Sequence, residues 1–535
     1  MLLNDNELLN SKQWESVGVN LPRFDRAKAR VNARAAPVWL HFGAGNIFRA
    51  FPAMLQQRLL NEGLQDTGII VAEGYDHEII DAAFTPYDNL SLSVTLKASG
   101  CIEKTVVASV VESLKMDSGS FPRLKEIIAA ESLRLLSLTI TEKGYSLEGG
   151  DGSLLPGVRE DIAAGPGAPK SYMGKLAALC YHRYKNGAAP LALVSMDNCS
   201  HNGTRLFEAV RRFAAEWAGS DIVESGFLDY VENPDCLSFP WSMIDKITPR
   251  PDDSVARMLK DAGIENMGGV VTLKNTYIAP FVNSEESEYL VVEDAFPNGR
   301  PPLDKAGVIF ACRETVDKVE KMKVCTCLNP LHTGLAVFGC ILSYQRISDM
   351  MKDSVMAKLV RRIADEGLPV VTDPGIISPG EFIDTVINVR LPNPFMPDTP
   401  QRIATDTSQK ISIRFGETIK AYSRSDTLNT AALRAIPLVL AGWCRYLAGM
   451  DDKGEAFKLS PDPMLPELLP LFADVALGKA ADYKNMLYPL LSNAAIFGAD
   501  LYETGLAGLV EEYFTMMAAG PGAVRKTLET VLLEG

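Results

Sequence analysis

Hydrophobic positions follow two different rhythms along the chain. Over residues 36–63, "APVWLHFGAGNIFRAFPAMLQQRLLNEG", an apolar run rich in strand formers ends at Gly43-x-Gly45, after which Ala50, Met54, Leu55 and Leu59 recur at three- and four-residue intervals. This pattern predicts a strand, a tight turn and a helix. The runs "GIIVAEG" (68–74), "LLSLTITEKGY" (135–145) and "PLALVSMDN" (190–198) predict further buried strands. Strands that alternate with helices imply a parallel, doubly wound α/β sheet.

Beyond about residue 290 the rhythm changes. Apart from "PVVTD" (369–373), the period is helical, in stretches at 315–348, 352–366, 431–449 and 465–518. The prolines and glycines of "EDAFPNGRPPL" (293–303) interrupt both periods, and the boundary is placed there. The expected organisation is an α/β domain over 1–290 followed by a mainly α-helical domain over 291–535. No internal repeat is found.

At 535 residues the chain exceeds what one hydrophobic core supports, and 47% hydrophobic with 22% charged residues is an ordinary globular composition. A formal charge of −14 argues against general affinity for nucleic acid or an anionic membrane, so an anionic ligand needs a local basic cluster. The uninterrupted apolar runs "PLVLAGWC" and "LHTGLAVFGCIL" fall short of the roughly 18–20 residues of a membrane span. The start, "MLLNDNELLNSKQWE", shows no basic segment leading into an apolar one. These features predict a cytoplasmic enzyme with a small-molecule partner and neither a nucleic-acid nor a membrane partner, and they leave the oligomeric state open. The nine cysteines are scattered through apolar sequence, as reduced core thiols are. Cys325 and Cys327 in "CTC" point to nearly opposite sides of a helix at about 100° per residue, so no metal site is expected.

Three places carry candidate chemistry. Gly43-x-Gly45 is either a turn that lets a pyrophosphate approach backbone N–H groups or a plain glycine turn, since Phe48 stands where a third glycine is usual. Arg49 lies either near the phosphates or on the solvent face. At the end of the second strand Glu73 or Asp76 would accept from ribose hydroxyls, and Glu73 is nearer the strand end. An acid there favours NAD over NADP.

"SMDNCSHNG" sets Asn198 at the carboxyl end of a strand, with Asp197, His201 and Asn202 in the same loop. There Asn198 either meets a ligand or caps the next helix. In "KVCTCLNPLHTGL" (323–335), Asn329 and His332 share a helical face. Lys323 is nine residues before His332, about 180° away on a regular helix.

These segments, with "LPRFDR" (21–26), "SMIDKITP" (242–249), "VVEDAFPNGRPPL" (291–303), "EKMKVCTCLNPLH" (320–332) and "RIATDTSQKISIRF" (402–415), resemble the mannitol dehydrogenase family of polyol-specific long-chain dehydrogenases and reductases. The resemblance spans most of the chain. It implies a Rossmann-like domain followed by a helical one, and a zinc-independent NAD(H) enzyme that interconverts a secondary alcohol and a ketone on an open-chain sugar derivative. Implied cofactor-binding positions are Gly43, Gly45, Asn46, Phe48, Arg49, Glu73, Asp76 and Thr141.

The family pattern is lysine, four residues, asparagine, two residues, histidine, with a glutamate three before the lysine. Asn198, Asn329 and His332 match it, but Val324 stands where the lysine is expected and Lys323 comes one position early, with Glu320 three before it. One extra residue absorbed by a π-bulge would restore the facing. The resemblance then implies Lys323 as general acid/base, Asn198 and Asn329 as donors to the reacting oxygen, His332 as substrate orienter and Glu320 as a proton relay or an intrahelical partner. Such a lysine must lose its proton far below the usual value of about 10.4.

Arg402, Lys410 and Arg414 are candidate clamps for a substrate carboxylate. The expected reaction is D-mannonate/D-fructuronate interconversion. Mannitol 2-dehydrogenase and tagaturonate reductase are the alternatives, and a catalytically silent dinucleotide-binding sensor is the alternative from another class.

Overall fold

Four of the apolar runs form strands without an exposed residue: Trp39–Phe42 (β1), Ile69–Glu73 (β2), Leu135–Leu138 (β4) and Leu191–Ser195 (β5). Val110–Lys115 (β3) and Leu237–Ser238 (β6) complete a parallel sheet in the order β3-β2-β1-β4-β5-β6. Alternate residues serve opposite faces. Leu40, Phe42, Ile70, Leu136 and Leu193 join one apolar cluster with Leu176 and Leu206 of the flanking helices, while Trp39, Val71, Leu135 and Val194 join a second with Leu55 and Leu59. Both faces are covered, which is why these strands read as continuous apolar runs. The order reverses between β1 and β4, and the crevice beyond their carboxyl ends is where sheets of this kind bind ligands.

This computed structural model describes residues 1–479 and 482–534. They form two compact units, Met1–Asp317 and Lys318–Gly535, so the division comes later in the chain than residue 290. The strand Ile309–Ala311 pairs in parallel with Tyr289–Glu293, which is itself antiparallel to Ser242–Asp245, and this small sheet stays with the first unit. A four-stranded sheet of Val19–Asn20, Ile102–Val107, Ser91–Leu96 and Phe281–Ser284 also belongs to it. Neither sheet is predicted by the apolar pattern, because each takes in a strand from a distant part of the chain and several of the strands have only two to four residues.

The second unit is helical. Ala435–Leu447 is buried at all 13 positions and packs against Asn329–Ile341, Ser354–Gly367 and Ala507–Ala518. The stretch expected at 465–518 is broken into Leu465–Phe472, Lys484–Leu491, Ala494–Phe497 and Ala507–Ala518. Residues 480 and 481, inside that expectation, lie outside the described residues. "PVVTD" forms no strand, since Leu368–Val370 closes a 3₁₀ turn with Pro369 at its start.

The helical run Arg313–Ile341 is long and apolar enough to cross a membrane by length and composition, and 78% of its most apolar window is buried inside the protein.

Candidate active site

The glycine turn after β1 is sterically required. Gly43 has φ +103°, and a Cβ there would stand 2.1 Å from the Thr139 carbonyl oxygen. Its N–H donates to the Ala72 carbonyl at 2.9 Å, which closes the turn against β2. A Cβ at Gly45 would meet nothing within 4 Å, so the backbone there faces open space of the kind a pyrophosphate fills.

Asn46 and Arg49 are tied together, with the guanidinium Nη2 donating to Asn46 Oδ1 at 2.8 Å and Nη1 to the Ala279 carbonyl at 2.7 Å. Arg49 is fully buried, which corrects the solvent-face alternative. Burial lowers its pKa to about 9, and its Nε has no partner among the described residues. The Phe48 side chain is turned into the core, stacked on His41 at 4.1 Å, so only the backbone of Phe48 is left for a ligand.

Both acids at the end of β2 are buried. The Glu73 carboxylate accepts from Ala44 N at 2.8 Å, Tyr75 N at 2.8 Å and Asp76 N at 3.0 Å, so it pins the glycine turn to its neighbour loop. Asp76 Oδ2 accepts from the Thr272 hydroxyl at 2.6 Å. An anionic edge beside the glycine turn suits ribose hydroxyls and repels a 2′-phosphate. Open glycine backbone and buried acid together fit a dinucleotide.

Past β4, Thr141 adopts φ 68°, ψ 159°, a region populated almost only by glycine. The Asp197 carboxylate holds it there, accepting from Ile140 N at 2.9 Å, Thr141 N at 2.8 Å and the Tyr145 hydroxyl at 2.5 Å. Asn202 is fully buried and clamps the same loop, donating to the Asp197 carbonyl and the Ser242 carbonyl at 3.0 Å each while accepting from Ser242 N at 3.0 Å. The exposed Asn198 therefore extends from a loop fixed on both sides. His201 stacks on Trp241 at 4.3 Å. None of this was visible in the sequence beyond the presence of Asp197 and Asn202 in the loop, since the partners other than the Asp197 carbonyl are contributed by other elements.

In the second unit, Met322–Cys327 is a π turn between Arg313–Lys321 and Asn329–Ile341. Leu328 N donates to the Lys323 carbonyl at 3.1 Å, five residues back, and His332 N resumes the four-residue step to Leu328 at 3.1 Å. One residue is thereby absorbed. The angle between Lys323 and His332 falls from about 180° to about 80°. Lys323 is buried, and Glu320 is half-buried.

No hydrogen-bond partner among the described residues reaches the half-buried Asn329 amide or His332 ring. Burial pushes the His332 imidazole down to about 4; Asp398 opposes this and Arg390, Arg414 and Arg402 reinforce it. His332 is therefore neutral near pH 7, able to donate one hydrogen bond and accept another. Cys325 and Cys327 are free thiols pushed up to about 11 and about 12 by burial, far from a nucleophile's range.

The three expected clamps differ in their engagements. Arg402 is ion-paired with Asp398, and the Lys410 amine donates to the Thr405 carbonyl. Arg414 Nη1 donates to Thr333 Oγ1 at 2.6 Å, and Thr333 in turn donates to the Asn329 carbonyl at 2.9 Å. Arg390, buried at the end of a second π turn, Val386–Arg390, was not singled out because "VINVRL" reads as an apolar helix face.

The family model for the mannitol dehydrogenase Rossmann domain matches residues 38–305, and that for the mannitol dehydrogenase C-terminal domain matches residues 315–517. D-mannonate oxidoreductase of Thermotoga maritima is 52% identical over 99% of both chains. Mannitol 2-dehydrogenase of Neosartorya fischeri is 28% identical over 92% of this chain and 93% of its own. Among solved structures, Pseudomonas fluorescens mannitol 2-dehydrogenase in ternary complex with NAD and D-mannitol matches with a TM-score of 0.70 and 26% identity over 100% of both chains.

Proposed function

Because the chain belongs to the mannitol dehydrogenase family, we propose that it is an NAD(H)-dependent oxidoreductase that interconverts D-mannonate and D-fructuronate in the cytoplasm. One observation carries the substrate: the 52% identity, over 99% of both chains, with a D-mannonate oxidoreductase. The two-domain match and the NAD complex of the Pseudomonas relative support the cofactor.

When bound at the glycine turn, NAD supplies the acceptor for the hydride that leaves the carbinol carbon. The chain's own residues handle the proton and the charge. As general base the Lys323 amine accepts the hydroxyl proton, and the amides of Asn198 and Asn329 donate to the oxygen as negative charge builds on it. Neutral His332 fixes the neighbouring hydroxyl, and Glu320 passes the proton on from Lys323. In the reducing direction the protonated amine returns that proton to the new alkoxide. The π turn supports Lys323 in this role, since it offsets the one-residue displacement from the family spacing. Arg402, Lys410 and Arg414 supply positive charge on the substrate side.

The test is NADH oxidation with D-fructuronate, D-tagaturonate, fructose and fructose 6-phosphate. The highest kcat/KM is expected with D-fructuronate. NADH binding without turnover of any of the four would overturn the reading in favour of a dinucleotide sensor.

A further inference from the structure

Among the described residues of the second unit, three internal π turns each carry a cation: Met322–Cys327 holds Lys323, Val386–Arg390 ends on Arg390, and Ser412–Gly416 holds Arg414. The first and third pack against each other. A π turn displaces side chains from the helical register, and the displacement persists where the displaced group has a use. Lys323 already has one in the proposed reaction. Arg390 and Arg414 both lower the pKa of His332, as Arg402 does, so all three guanidiniums lie within electrostatic reach of the histidine assigned to orient the substrate.

Their partners separate them. Arg402 has its charge met by Asp398, and its side chain is 65% exposed. Lys410 is occupied by a backbone carbonyl. Arg414 is half-buried, and its partner among the described residues is the neutral hydroxyl of Thr333 at 2.6 Å. Thr333 sits directly after His332 and one turn after Asn329, and it fixes one arm of the guanidinium fork. The remaining N–H groups keep the planar geometry that grips a carboxylate through two parallel bonds. A half-buried cation without a counter-charge is unfavourable until an anion arrives.

Resting on the proposed D-mannonate/D-fructuronate reading, we infer that Arg414 is the residue that recognises the substrate carboxylate and so selects sugar acids over neutral polyols. Burial holds its pKa down to about 10, still fully cationic at neutral pH. Arg390 adds to the field from the second π turn.

The experiment compares wild type, Arg414→Lys and Arg414→Gln as full-length proteins. It measures KM and kcat for D-fructuronate with NADH, and inhibition constants for D-mannonate and its uncharged analogue D-mannonamide. In wild type D-mannonate should bind about 100-fold more tightly than the amide. Arg414→Gln should bring the two within about threefold and place its kinetic loss on KM for D-fructuronate rather than on kcat. Arg414→Lys, which keeps the charge and loses the fork, should fall between them and serves alone if the glutamine variant does not fold.

An acid-to-amide ratio that stays at the wild-type value in the folded variants overturns the role of Arg414 and leaves the reaction standing. A wild type inactive on every hexuronate overturns the proposed function and this inference together.

Discussion

The Asp197 carboxylate accepts the backbone N–H of Thr141 at 2.8 Å, and that bond holds a β-branched residue at φ 68°, ψ 159°. Such a conformation is unfavourable by about 1–3 kcal/mol for a residue with a side chain. It persists beside β4, at the point where the strand order reverses, because Asp197 is itself held by Tyr145 and by the Ile140 N–H. Thr141→Gly should remove the strain, and Asp197→Asn should turn an acceptor of several N–H groups into a partial donor, lowering stability by about 2–4 kcal/mol. In urea melts the double variant should lose less than the sum of the two single changes. Strict additivity would mean that Asp197 does not restrain Thr141.

Lys323→Ala should lower turnover of D-fructuronate by two or more decades, because proton transfer from a positioned group contributes about 10²–10⁴-fold. NADH affinity, followed by fluorescence titration, should stay near wild type, since the glycine turn and Glu73 belong to the first unit. Turnover equal to wild type removes Lys323 from the mechanism.

The π turn makes a prediction about chain length rather than about a side chain. Deleting Val324 lets the segment close as a regular α-helix with five residue steps from Lys323 to Asn329, and activity should remain within about tenfold of wild type. Inserting one alanine after Val324 rotates Lys323 by about a further 100° and should abolish turnover. Steady-state kinetics of the two variants, with thermal melts to confirm folding, decides it. Equal loss in both would show that the six π residues matter for something other than facing.

Two histidines set an acid limit on stability. Burial lowers the His41 pKa to about 3 and the His332 pKa to about 4, both below the unfolded value of about 6.5. Between these values the unfolded chain binds more protons than the folded one. The contribution of each neutral imidazole is therefore complete above about pH 6.5 and declines by about 1.4 kcal/mol per pH unit as pH falls towards the folded value. Denaturant melts from pH 7 to pH 5 should show that slope, and His41→Gln should reduce it by about one residue's share. A slope untouched in the variant would point to carboxylates instead.

What could be read from the sequence and what could not divide by the range of the interaction. The strands around Leu40, Val71, Leu136 and Leu193 were legible because burial on both faces writes an unbroken apolar run into a few neighbouring residues. Gly43 was legible because a turn this close to Thr139 admits no side chain. The sheet that joins Ser91–Leu96 to Phe281–Ser284 was not, since its register links residues almost 190 positions apart. The place of Arg49 stayed open between the phosphates and the solvent face for the same reason: its acceptor, the Ala279 carbonyl, lies 230 positions away. The break in 465–518 was not legible, since Pro470 and Pro489 lie inside helices rather than between them and the apolar period runs past both. Asn198, Lys323, Asn329 and His332 were candidates by sequence alone, while the restraint by Asp197 and the setting of Arg414 depend on packing.

The π turn also bears on how such proteins are found. A helix that takes in an extra residue by stepping one hydrogen bond from four residues to five keeps its side chains aimed as before, yet changes the interval between them in the written sequence. A search demanding a lysine five positions before Asn329 would meet Val324 and discard the chain. What selection holds constant along a catalytic helix is an angle about its axis, and a pattern counted in letters records that angle only where the winding is uniform.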